Sequence, residues 1–215
     1  MTSRTEKPLS DAIDQRRATP SFDGSPIPDA DLKKILEAGL KAPSGYNLQP
    51  WRFVVVRSPE QRRRLRAASF NQAKVEEASA VIVACGDQDG WRTDLEEMIR
   101  MGRERGMTEN YAEQARANIP EYLGNHPNLA AWLNRHVMIG LTSMMWMAEV
   151  LGYDTAPMEG YEADKVRDLL RLPLSYEVVA LLAIGHLKGP DKFDGGRFSM
   201  HRTVFENEYG KPIKL

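Results

Sequence analysis

The sequence predicts a mixed domain in which helices alternate with short buried strands, and three observations carry that prediction. Arg52 to Arg57, Ala80 to Gly86 and Glu177 to Ile184 are apolar runs of strand length bounded by polar or turn residues. Between them lie stretches whose apolar residues recur at helical spacing, as Leu32, Ile35, Leu36 and Leu40 do. The 215 residues are enough for one hydrophobic core to form without covalent staples.

Composition narrows the function classes. Lys plus Arg (29) nearly balances Asp plus Glu (30), so the overall charge points to no nucleic-acid or acidic-lipid partner. The run Arg62-Arg63-Arg64-Arg66 reads as the solvated face of a helix. Cys85 is the single cysteine, which excludes an intramolecular disulfide and fits a reducing cytoplasm. At the end of an apolar strand it reads as a buried, inert thiol. Met1 to Leu9 shows no secretory pattern, and Val137 to Tyr153 is too short and too interrupted by Thr142, Ser143 and Glu149 for a bilayer span. His126, His136, His186 and His201 have no metal-ligand spacing.

The elements follow in order. A first helix runs from about Leu9 to Arg17, starts near Ser10 or Asp11 and is stopped by Pro20. A second starts at Pro28-Asp29, with Asp29 as its N-cap. It leads into Ala42-Pro43-Ser44-Gly45-Tyr46-Asn47-Leu48-Gln49-Pro50-Trp51, where two prolines and a glycine forbid an ordinary helix or strand. After the strand from Arg52 to Arg57, Ser58-Pro59-Glu60-Gln61 has the residues of a helix start. Asn71 and Lys74 share a face if helical, and by spacing alone they read as an exposed polar pair.

Asp87 to Pro127 is polar, with helical pieces carrying Trp91, Met98, Met101, Tyr111 and Tyr122, and is expected to break at Pro120 and Pro127. Leu129 to Leu151 reads as a long helix, apolar on nearly every side and therefore buried, closed by Gly152. Asp164 to Leu172 is a helix and Glu177 to Ile184 the last strand.

Five of these segments, in order, resemble the FMN-dependent nitroreductase family. Pro43 to Trp51 fills every fixed position of the pattern Pro-Ser-x-x-Asn-x-Gln-Pro-Trp. Arg16-Arg17-Ala18-Thr19-Pro20-Ser21-Phe22 resembles the family opening Arg-Arg-Ser-x-Arg-x-Phe, with Ala18 in place of serine and Pro20 in place of a basic residue. Asn71-x-x-Lys74, Pro157-Met158-Glu159-Gly160-Tyr161 and the tail from Gly195 to Gly210 complete the series.

The resemblance implies an α+β nitroreductase-like fold with a mixed, mostly antiparallel sheet flanked by helices, in an intertwined homodimer. Residues 1–215 would form one FMN-binding domain, with about 87–127 as a variable lid over the active site. It implies that Arg16, Arg17 and Arg197 hold the FMN phosphate, a fixed fork of donors being suited to phosphate oxygens. Ala18 would contribute only backbone. Asn71 and Lys74 would meet the flavin pyrimidine edge, where a cation stabilises the negative charge of the reduced ring. Pro157, Glu159 and Gly160 would run beside the ring near N5, and Pro43, Ser44, Gly45 and Asn47 would reach the flavin held mainly by the other subunit. Gly195 occupies the place of a phosphate-binding lysine, for which Lys192 is the candidate substitute.

The implied activity is ping-pong transfer of a hydride from NADH or NADPH through FMN to a nitroaromatic, quinone or similar small aromatic or conjugated acceptor. A reductive dehalogenase or enal-type reductase on the same scaffold is the alternative, as is a non-catalytic flavin-binding sensor or store.

Overall fold

The computed structural model of the chain describes residues 6–189 and 194–215. Helix α1 (Leu9–Gln15) and α2 (Asp29–Leu40) precede β1 (Trp51–Val56), with a single 3-10 turn at Gly45–Asn47 between them. Then come α3 (Pro59–Ala67), α4 (Ala73–Glu77) and β2 (Ala80–Asp87). The segment that follows β2 is helical: α5 (Gly90–Thr93), α6 (Leu95–Arg103) and α7 (Glu109–Gly124). The chain closes with α8 (Leu129–Val150), β3 (Asp154–Met158), α9 (Ala163–Leu170), β4 (Tyr176–Gly185) and α10 (Met200–Thr203).

The four strands form one sheet in the order β1-β2-β4-β3, with every neighbouring pair antiparallel. The parallel component described is one isolated bridge, Ala18 to Thr155, on the outer edge of β3. Strand β2 is buried along its whole length because both faces of the sheet are covered. Its period of two is therefore hidden in the sequence and visible only in three dimensions. Ile82 and Ala84 face a core shared with α2 and α8. Val81, Val83 and Cys85 face a second core, which includes Leu65, Val75 and Val166 of α3, α4 and α9. A third cluster joins α5, α6 and α7 to the first turns of α8 through Trp91, Ile99, Ile119, Leu123, Trp132 and Leu133.

Helix α8 is the spine. Its contact with α2 depends on Gly39 and Gly140: a Cβ on Gly39 would lie 2.2 Å from Met144 Cε, and one on Gly140 3.3 Å from the Gly39 carbonyl. It ends where expected, at Gly152 (φ 79), with Tyr153 N–H donating to the Ala148 carbonyl and Gly152 N–H to that of Glu149. This two-bond arrangement satisfies carbonyls that the last turn would leave open. One face of α8 is only partly covered by the described residues: Ile139 is 41% exposed and Met138, Trp146 and Met147 are half-buried.

Four expectations change. Asp29 is the first helical residue, not the cap, because Pro28 holds the extended cap position. Pro120 does not break its helix but lies inside α7. The buried stripe Ala112, Ala115, Ile119 and Leu123 continues on both sides of it. That packing offsets a cost of about 3 kcal/mol for an interior proline. Asn71 is not helical, since Phe70 and Asn71 adopt left-handed φ of 50° and 55° and α4 begins only at Ala73. Arg62 is not on a solvated face but half-buried, as developed below. Cys85 is buried as expected, and that burial pushes its thiol up to about 12.

Candidate functional site

The end of α1 delivers Arg16 and Arg17 to the outer edge of β3. Thr19 N–H donates to the Thr155 carbonyl at 3.0 Å, so the segment through Ala18 lies along that strand. The Arg16 guanidinium stands 5.8 Å from the Trp146 ring centre on α8. Its pKa is lowered by burial first, then by the positive charges of Arg197 and Arg17, against the opposing pull of Glu149. Arg17 donates from Nη1 to the carbonyls of Asp14 (2.6 Å) and Arg16 (2.8 Å) and from Nη2 to Asp194 (3.0 Å). Its Nε is buried and has no hydrogen-bond partner among the described residues. Arg197 donates to its neighbouring Gly196 carbonyl and is exposed.

Three guanidiniums, one with a buried N–H that has no partner among the described residues, thus gather where Asp194, Asp14 and Glu149 supply the nearby negative charge. Like charges raise one another's energy at close range, and a dianionic phosphate relieves that repulsion. The donor set therefore fits the phosphate of FMN. Gly195 brings no side chain to it, and Lys192 lies outside the described residues.

From the arginines, β3 runs toward a second group. Pro157 is tolerated because β3 is an edge strand paired with β4 on one side. Beyond Met158, Glu159 and Gly160 turn against the segment that carries Asn71. Gln72 Nε2 donates to the Gly160 carbonyl at 2.8 Å and to that of Ser69 at 3.2 Å. Asn71 exchanges hydrogen bonds with Arg66: its N–H reaches the Arg66 carbonyl at 3.1 Å, and Arg66 Nε reaches the Asn71 carbonyl at 3.2 Å. Tyr161 anchors the turn by donating to the Val178 carbonyl at 2.8 Å, and burial pushes its phenol up to about 12. Lys74 stands in the first turn of α4, immediately after Gln72 and Ala73.

The four steps from Thr155 to Glu159 span roughly 13 Å at strand spacing. That length is comparable to an extended flavin mononucleotide. One edge thus places phosphate-suited donors at one end and the turn joined by Gln72 and Gly160 at the other, with Asn71 and Lys74 on the segment that carries Gln72.

The loop with Pro43, Ser44, Gly45 and Asn47 is elsewhere. Ser44 Oγ accepts from Gln49 N–H at 2.9 Å, and Tyr46, Asn47 and Gln49 all take left-handed φ. A Cβ on Gly45 would lie 3.1 Å from Trp132 and 3.2 Å from His136, so a larger residue would have to push these rings back by a few tenths of an ångström. Trp132 and the Trp146 beside Arg16 are fourteen residues apart on α8, roughly 21 Å along its axis. Within one chain the loop and the arginine cluster therefore occupy opposite ends of that helix.

The loop faces the helices after β2. Tyr46 meets Tyr122 edge to face at 6.1 Å, and Tyr122 meets His126 at 5.4 Å. Together with Asn118, Glu121 and Asn125 they line a groove of about 450 Å³. Arg52 ties loop to helices: it donates from Nη1 to the Gln49 and Trp51 carbonyls and pairs through Nη2 with buried Asp87 (2.9 Å) and with Asp94. Of the two aromatic residues left open between packing and function, Trp91 is core and Tyr111 is 48% exposed.

Gln72, Trp146, Asp194 and Arg52 are the functional neighbours that sequence reasoning missed. Arg52 alone had a local signal, as a charged residue directly after Gln-Pro-Trp. Among the described residues no group of three or more His, Cys, Asp or Glu side chains could hold a metal, and no helix is long and apolar enough to cross a membrane.

The nitroreductase family profile matches residues 13–186. The chain is 35% identical over 190 residues to a Thermus thermophilus protein named NADH dehydrogenase, covering 88% of this chain and 91% of that one. It is 35% identical over 178 residues to YdgI of Bacillus subtilis, which is named for NAD(P)H nitroreductase activity, covering 79% and 84%. A nitroreductase-type protein from Exiguobacterium sibiricum, solved in complex with FMN, superposes with a TM-score of 0.81 at 30% identity over 94% of this chain and 98% of that one. The family match spans most of the chain and the fold agrees with it, so this protein belongs to the nitroreductase family, a family of oxidoreductases.

Proposed function

We propose that the protein is an FMN-dependent NAD(P)H oxidoreductase that reduces small aromatic or conjugated acceptors such as nitroaromatics and quinones. The observation that carries this is the convergence of Arg16, Arg17 and Arg197 at the head of β3, with the Gln72 and Gly160 turn at its far end. The chemistry supplied by bound FMN is hydride transfer through N5, in ping-pong order, from NADH or NADPH and then to the acceptor.

The chain supplies placement and electrostatics. Arg16, Arg17 and Arg197 bind the phosphate, with the Ala18 backbone alongside. Asn71 and Lys74 face the pyrimidine edge, where the Lys74 ammonium favours the negative charge of the reduced ring. Pro157, Glu159 and Gly160 hold backbone beside N5, in a position fixed by the Gln72 side chain. Tyr46 and Tyr122 offer aromatic faces and edges on which a planar acceptor can stack.

The active species is a homodimer with residues 1–215 as one domain. A second copy would bring its Ser44, Gly45 and Asn47 loop to the flavin, and would cover Ile139, Trp146 and Met147 of α8. Sedimentation at micromolar concentration should show one dimeric species, and a stable flavin-loaded monomer would contradict this. The activity itself is tested by anaerobic mixing of purified protein with NADH and NADPH. The flavin absorbance should bleach and return on adding a quinone or nitroaromatic. Protein that binds FMN but is bleached by neither donor would leave the sensor or storage alternative standing.

A further inference from the structure

The arginine run of α3 is not simply a charged face. Arg63 and Arg66 share Glu76 at 3.3 and 3.1 Å, and Arg64 is exposed. Arg62 instead turns inward. It is half-buried, donates from Nε to the Glu76 carbonyl at 3.1 Å and from Nη1 to the Ser79 carbonyl at 3.3 Å and to that of Arg57, and has no carboxylate ion pair among the described residues. Its Nη2 makes no hydrogen bond there. Withdrawing a guanidinium from water is costly, and burial lowers its pKa, opposed in part by the charge of the nearby Glu76 carboxylate.

Arg62 lines a small recess together with Arg57 and Ser79, over a floor of Ile27 and Leu32. The recess holds about 160 Å³. At a liquid share of about 30 Å³ per water, that is room for a few water molecules or one small ion. It is below the roughly 300 Å³ at which pockets begin to enclose drug-sized ligands. Arg57 reaches it from the end of β1 and, among the described residues, is engaged through Nη1 alone, at 2.8 Å from Asp29, a carboxylate 83% exposed. Exposed ion pairs of this kind are weak and easily exchanged. None of the residues that line the recess is among those assigned to the flavin.

We infer that Arg57 and Arg62 form a second anion site, which takes a tetrahedral oxyanion of the phosphate or sulfate class. Two planar forks on one recess suit oxygens at tetrahedral spacing, and the ion would pair directly with Arg62, whose hydrogen bonds among the described residues go to backbone carbonyls. Asp29 would be its competitor for Arg57.

The test is calorimetric titration of FMN-saturated protein with inorganic phosphate, in buffer matched for ionic strength with chloride. Saturable binding at one equivalent is expected. Arg57→Gln should weaken it about tenfold or more, the loss of one charge-assisted contact. Asp29→Asn should strengthen it several-fold, a gain that unfolding cannot produce. Arg16→Ala should leave it unchanged, which separates this site from the flavin phosphate site whatever the outcome there. A parallel titration with adenosine 2′-monophosphate distinguishes a nucleotide-borne phosphate from the free ion: tighter binding than inorganic phosphate, lost in Arg57→Gln, would identify the former. No saturable signal above chloride, or equal affinity in the wild type, Arg57→Gln and Asp29→Asn, would overturn the inference.

Discussion

Gln72 and Gly160, 88 positions apart in sequence, are joined by a 2.8 Å hydrogen bond from the glutamine amide to the glycine carbonyl. The bond fixes the spacing between the Asn71 and Lys74 segment and the end of β3. A Cβ on Gly160 would stand 3.0 Å from that same amide nitrogen. Gly160→Ala should therefore displace Gln72 and weaken FMN binding. Gln72→Ala should cost about 1–2 kcal/mol of stability, the usual net worth of the two neutral hydrogen bonds it removes. Denaturant melts and flavin titrations of both variants check this, and unaltered FMN affinity in both would show that the turn does not position the ring.

Lys74→Ala should lower the flavin midpoint potential. An ammonium beside the pyrimidine edge stabilises the reduced, negatively charged ring more than the oxidised one. Losing about 1–2 kcal/mol of that preference lowers a two-electron potential by roughly 20–45 mV. FMN affinity should fall less than in Arg16→Ala, whose partner is the permanently charged phosphate. A redox titration of Lys74→Ala with FMN fully bound and an unshifted potential would return the lysine to an exposed helical charge.

Much of the fold was legible because β2, β4 and α8 are long, apolar and bounded by turn residues. Ser58 was legible as a cap because its partner, Gln61 N–H, is local. What failed depends on distant neighbours. Pro120 stays helical because Ile119 and Leu123 pack into the cluster with Trp91 and Trp132. Asn71 is left-handed because the turn from α3 to α4 requires it, and no spacing rule reports that. At the site, Arg16 and Arg17 could be picked out as phosphate-suited, but not their position on the edge of β3, which rests on a single backbone bridge to Thr155. Trp146 was invisible inside an apolar helix, and Gln72 has no meaning until Gly160 is beside it.

Cys85 should resist thiol reagents at pH 8 in the folded protein and react only on unfolding, since burial raises its pKa from 9.0 to about 12. The folded state therefore holds the thiol neutral where the unfolded chain ionises it. Its contribution to stability is complete below about pH 9 and is lost as pH rises toward 12. Tyr161, raised from 10.0 to about 12, adds to the same alkaline decline. Melts of Cys85→Ala across pH 8 to 11 should fall less steeply than those of the wild type, and parallel curves would contradict the shift.

Whether Arg16, Arg17 and Arg197 bind a flavin phosphate is read by comparing FMN with riboflavin, which lacks only that group. Fluorescence titration of apoprotein should show FMN binding about 100-fold or more tightly, as several charge-assisted contacts imply. Arg16→Ala should lower FMN affinity about tenfold or more and leave riboflavin affinity nearly unchanged. Equal affinity of the wild type for FMN and riboflavin, or binding of neither, would contradict the account.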